Sequence, residues 1–140
     1  MNKPHSNYTA DDIREMGEAF VNCTLPKARW THNAPLVVTA YLFLERDDID
    51  PETDLPDMIR RYNTSTNTPN NDTEGYHETI TRLYTAAIKG FVSNHYTGQT
   101  LDRFCQDLIS SSVGSQDFMF EYYSKDVIFS VKARRAFVPP

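Results

Sequence analysis

A chain of 140 residues with 39% hydrophobic and 12% aromatic residues is long enough to bury one core and too short for two, and its composition is that of a folded domain. A net charge of -5 opposes the sequence-independent attraction to phosphate backbones, so nucleic acid is not an expected partner. The longest apolar stretch, Pro35 to Leu44, is far short of a membrane span, and the polar opening Met1 to Tyr8 lacks a secretory signal's apolar run; a cytoplasmic location without membrane contact is the expectation.

Helical spacing then dominates, and predicts an all-α, compact single-domain bundle of about five to six helices with short C-terminal helical turns. It spans residues 1–140, with 1–8 flexible. Thr9 as N-cap, with Asp12 three residues on, opens a stripe of Ile13, Met16, Phe20 and Val21, which fades near Cys23 and Thr24 before Leu25-Pro26. From Thr31 or Asn33 to Leu44 the chain is apolar on nearly every face, with Pro35 tolerable only in a first turn; this is the expected central helix, and a buried strand is the competing reading. A polar connector, Glu45 to Pro51, precedes a short amphipathic stripe of Leu55, Met58, Ile59 and Tyr62 with Pro56 in its first turn.

Residues 63–73 carry no large apolar side chain and read as a long polar surface loop able to act as a lid. The longest helix follows from Thr73 or Glu74 to His95, with Tyr76, Ile80, Leu83, Tyr84, Ala87, Ile88, Phe91 and Val92 on one side. Thr100 caps a helix carrying Leu101, Phe104, Cys105, Leu108 and Ile109, and Ser124 and Ser130 each cap a short turn. Phe118 to Tyr123 is read as core, Cys23 and Cys105 as buried thiols, and Lys125, Lys132, Arg134 and Arg135 as a solvated face.

Two stretches, Trp30-Thr31-His32-Asn33-Ala34-Pro35-Leu36 and Arg61-Tyr62-Asn63 followed by Gly75-Tyr76-His77-Glu78-Thr79-Ile80-Thr81, are joined by Tyr122-Tyr123-Ser124 and Phe129-Ser130. Together they resemble a family of small bacterial all-helical proteins with WTHxAHL-like and GYHET motifs and no established activity. The resemblance runs from the first helix to Phe137 and implies a helical fold, a bacterial origin and candidate positions. Pro35 stands where members often carry a second His, which argues against a histidine-rich metal site. The family often continues past the position of Pro140 with an acidic, proline-containing tail, so one cover for the site is expected to be missing.

Each motif sets a His beside an aromatic and a hydroxyl residue near a helix N-terminus, where unpaired N–H groups suit an anionic or carbonyl-bearing ligand. If the two ends converge, Trp30, Thr31, His32, Tyr62, Asn63, Tyr76, His77 and Thr81 line a pocket for a small polar or anionic molecule. His77, beside Glu78 and one turn from Thr81, is a candidate acid or base, and His32 and Glu78 are the other catalytic candidates. The plainer alternative has His77 capping its helix, and Thr31 as N-cap with Trp30 as hydrophobic staple starting the central one. No metal or cofactor is expected, since there is no HExxH, no CxxC and no glycine-rich phosphate loop. The competing function is a non-catalytic helical interaction module or homodimer docking through the aromatic C-terminal segment.

Overall fold

The computed structural model describes residues 8–140, all-helical and without a strand among them. Five helices make the body: α1 (Ala10–Val21), α2 (Ala34–Glu45), α3 (Pro51–Ser65), α4 (Glu78–His95) and α5 (Leu101–Ser110). Two short ones close it, α6 (Lys125–Ile128) and α7 (Val131–Arg135), with single 3-10 turns at Lys27–Arg29, Ser112–Gly114 and Phe118–Glu121. The expectation of flexibility over 1–8 falls mostly outside the described residues; Tyr8 is described, and it packs against the core.

Local capping chemistry sets the start of α1. The Thr9 hydroxyl accepts from the Asp12 N–H at 3.0 Å and the Asp12 carboxylate accepts from the Thr9 N–H at 3.0 Å, a reciprocal pair that satisfies two otherwise orphaned donors. At the other end Cys23 takes φ 59, and the N–H groups of Cys23 and Thr24 return to Phe20 and Ala19 at 3.1 and 2.8 Å. That is a Schellman closure with cysteine where glycine is usual, so Cys23 ends a helix and is only half-buried. Cys105, on α5, is buried as expected, and burial pushes its thiol up to about 12.

The central position of α2 follows from its composition: Ala34 and every residue from Leu36 to Leu42 are buried, against α1, α3, α4 and α5. A helix satisfies all of its own backbone bonds, so it can be buried on every side, and this overrides the strand preference of Val, Tyr and Phe. It lies close to α1 because Gly17 leaves room for the Tyr41 ring, whose Cδ2 would stand 2.3 Å from an added Cβ. The helix begins after Asn33, not Thr31. No side chain caps it; Thr31 contributes only its carbonyl, to the Ala34 N–H at 3.2 Å.

Two other boundaries differ from expectation. Helix α3 starts at Pro51, with the Asp50 side chain accepting from the Glu52 N–H at 3.2 Å, so Pro56 lies inside the helix and not in its first turn. It also runs to Ser65, which makes Asn63 helical and shortens the expected loop. That loop is held at several points. The Asn70 side-chain oxygen accepts from Asn63 Nδ2 and the Tyr76 N–H, both at 3.0 Å, while its Nδ2 donates to Arg60 O at 3.1 Å. Arg135 grips Asp72 through two bonds of 2.8 and 2.6 Å. Helix α4 starts at Glu78, four or five residues later than expected, because Gly75 takes φ 83 and breaks the helical path.

The core centres on Phe20, stacked on Trp30 at 4.9 Å and 1°, with Tyr62 tilted against both. Tyr62 is 1% exposed and its hydroxyl donates to Leu25 O at 3.0 Å. In the aromatic C-terminal stretch Phe118 and Tyr123 are buried, whereas Tyr122 is exposed. Ser124 and Ser130 cap α6 and α7 as their sequence positions predict, accepting from the Val127 and Ala133 N–H groups at 3.3 and 3.1 Å. No helix among the described residues is long and apolar enough to cross a membrane.

Candidate functional site

The starts of α2 and α4, one face of α3 and the C-terminal turns surround an open-mouthed cavity of about 540 Å³. Trp30, His32, Asn63, Tyr76, His77 and Thr81 all line it, so both motifs do face one hollow. Two expected residues do not. Thr31 faces a neighbouring groove with Arg29 and Asn33, and Tyr62 belongs to the aromatic core. Most of the remaining wall is apolar, from Leu36, Leu55, Ile59, Ile80, Ile88 and Met119, with Phe129 among its lining residues.

Among the polar lining residues, Thr39, Tyr84, Thr85, Gln116 and Arg134 are not in the set the sequence points to. Tyr84 and Thr85 continue the row begun by His77, Ile80 and Thr81 at helical spacing, a signal that was present. Thr39 is the one hydroxyl between Leu36 and Tyr41's ring in a helix buried all round, which could also have singled it out. Arg134 offered no such signal, because it arrives from a distant segment.

His77 is fully committed. It is the N-cap of α4: its Nδ1 accepts from the Ile80 N–H at 3.1 Å, and its Nε2–H donates to Ile128 O at 2.7 Å. Accepting at one nitrogen and donating at the other fixes the neutral ring with its proton on Nε2. Burial lowers its pKa below the ordinary histidine value, and the nearby positive charge of Arg134 works in the same direction, against the bond to Ile128. No ring nitrogen is left to move a proton, so the acid–base role expected for it gives way to the capping alternative.

Glu78 is also engaged elsewhere. Its Oε1 accepts from the Tyr76 hydroxyl at 2.6 Å, and its Oε2 lies 3.6 Å from Arg82, so the carboxylate is not in the cavity wall. Burial and this bond push the Tyr76 phenol far above its usual range, so it serves as a neutral donor. The Arg60 guanidinium covers the Tyr76 ring at 4.1 Å. His32 is exposed, and its Nε2–H donates to Gly114 O at 3.0 Å. Its Nδ1 has no partner among the described residues. No group of three metal-ligating side chains occurs among the described residues.

The C-terminal segment completes the wall by strapping itself to the start of α4. Thr79 Oγ1 donates to Ala136 O at 2.9 Å and accepts from the Val138 N–H at 3.0 Å, and the Tyr123 hydroxyl donates to Val138 O at 2.6 Å. Arg134 Nη1 donates to the carbonyls of Gly75 and Tyr76 at 3.1 and 3.2 Å, which ties it to two residues that line the cavity with it. Comparisons with known protein families, curated proteins and solved structures find no match for this chain.

Proposed function

We propose that this chain binds a small molecule in the cavity between the starts of α2 and α4, and that its two motif histidines build the wall instead of carrying out chemistry. The observation that supports this is the meeting of two segments distant in sequence, Trp30 with His32 and Tyr76 with His77, around one hollow of about 540 Å³. That volume and a mainly apolar wall with a few hydrogen-bonding groups are the ordinary features of a small-molecule site. Thr39 is 4% exposed, yet its hydroxyl has no hydrogen-bond partner among the described residues. Thr39 lines the cavity, so that hydroxyl is a hydrogen-bonding group open to a ligand.

The competing interaction-module or homodimer reading draws on exposed Tyr122, Val127, Phe129 and Val131. Phe129, 60% exposed, also lines the cavity, so the most exposed of these side chains already has a place in the small-molecule reading. Membership of the bacterial family belongs to the proposal through the motif resemblance, and a cytoplasmic location belongs to it only as the expectation drawn from the sequence.

The test uses N-phenylnaphthylamine, a neutral apolar dye, titrated against the intact chain. Binding in the cavity raises and blue-shifts the dye's emission and alters the fluorescence of Trp30, the single tryptophan, in one saturable step. Absence of saturable binding contradicts the proposal.

A further inference from the structure

The cavity wall carries a single formal charge. Arg134 is the one Lys, Arg, Asp or Glu among its lining residues, in a chain with nineteen acidic against fourteen basic side chains. The acids that could have neutralised it are taken: Glu78 by Tyr76 and Arg82, and Asp72 by Arg135, although Asp72 also feels the charge of Arg134. Arg134 therefore has no carboxylate within ion-pair distance among the described residues.

The orientation of its guanidinium is informative. Nη1 alone is used, bridging the carbonyls of Gly75 and Tyr76, while Nε and Nη2 have no partner among the described residues. In the same molecule Arg14, Arg46 and Arg135 use that very Nε–Nη2 edge to grip Glu45, Asp48 and Asp72 at 2.6–3.1 Å. This planar edge matches the two oxygens of a carboxylate or sulfonate. A side chain anchored by one nitrogen loses little further freedom when the other edge is filled. No second Lys or Arg lines the wall to balance a second negative charge, and the chain has no glycine-rich loop for a phosphate.

Resting on the small-molecule reading above, we infer that the ligand is a monoanion with an apolar body: its carboxylate or sulfonate sits on the free edge of Arg134, and its body lies along Leu36, Ile80, Ile88 and Met119. Two dyes of one shape separate this from the parent reading: anilinonaphthalene sulfonate, which carries the anion, and neutral N-phenylnaphthylamine, which does not. Arg134→Gln lowers affinity for the sulfonate at least about tenfold more than it lowers affinity for the neutral dye, and Arg134→Lys, which keeps the charge without the planar edge, retains only part of the sulfonate affinity. Equal loss of both dyes in Arg134→Gln, or no loss of either, overturns the inference while leaving the cavity reading intact. Should Arg134→Gln not fold, added salt on the wild-type chain decides: selective weakening of the sulfonate supports the inference, and identical salt responses of the two dyes overturn it. Failure of both dyes to bind the wild-type chain removes the parent reading and the inference with it.

Discussion

His77→Ala lowers the stability of the fold by about 2–4 kcal/mol, from the loss of a helix cap and the stranding of a buried acceptor. The side chain is 7% exposed, and its removal leaves the Ile80 N–H uncapped and Ile128 O without its donor. Ile128 itself is fully buried, so water does not readily replace that bond. His77→Asn restores an N-cap but not the reach to Ile128, and its loss falls between the wild type and the alanine variant. Urea denaturation measures both. A loss below about 0.5 kcal/mol for the alanine variant would show that the ring is not structural.

The same residue sets a pH dependence of known sign. Its pKa in the folded chain is lowered from 6.5, with burial the largest cause, so as pH falls the unfolded chain takes up its proton first. The contribution of His77 to stability is therefore fully present above the unfolded value. It declines as pH falls through about 6.5 towards the lower folded value. Between about pH 7.5 and about pH 5.5 the wild type loses more stability than His77→Asn, and the difference isolates this ring because the other histidines are common to both. Parallel pH profiles would contradict the assignment.

Gly75→Ala is the second large effect. At φ 83 a side chain is strained whatever the space, and here the added Cβ would stand 2.0 Å from Pro69 O and 2.9 Å from Asn70 Cα. Left-handed strain of about 1–2 kcal/mol and overpacking of about 1–3 kcal/mol together give an expected loss of about 2–5 kcal/mol. Asn70 ties the loop to Arg60, Asn63 and Tyr76, and the Gly75 carbonyl is one of two acceptors for Arg134, so the cavity is disturbed along with the fold. Dye affinity falls with stability. Gly90→Ala is the control, because its Cβ would meet nothing within 4 Å. A loss at Gly75 no larger than the change at Gly90 would contradict the packing described.

What could be read in advance was what local chemistry decides. Thr9, Ser124 and Ser130 reveal their caps because the bond runs only to an N–H three residues on. The even apolarity of Leu36 to Leu42 reveals burial on all sides without any knowledge of the neighbours. Helix α3 reads short in the sequence because Asp50-Pro51, a cap followed by a first-turn proline, looks like connector. Helix α4 reads long in the sequence because Tyr76 continues its apolar stripe, while the positive φ of Gly75 is invisible to a pattern of side chains.

The site divides along the same line. Trp30, His32, Asn63, Tyr76, His77 and Thr81 were placed on the wall because each lies near a helix end that the fold turns inward. The choice between the two readings of His77, acid–base group or helix cap, turns on Ile128, 51 residues away. In the sequence Arg134 reads with Lys125, Lys132 and Arg135 as solvated, since nothing nearby says that α7 returns to Tyr76, 58 residues earlier. Thr31 stands out in the sequence for its hydroxyl, whereas the fold uses its carbonyl.

The most direct measurement is a nitrogen–proton correlation spectrum of the chain with and without N-phenylnaphthylamine. Occupancy of the cavity shifts the amides of Thr39, Tyr76, Tyr84 and Thr85 together with the Trp30 indole, from both motif segments at once. Shifts confined to exposed Tyr122, Val127 and Val131, or no saturable shift at all, would contradict a ligand site between α2 and α4.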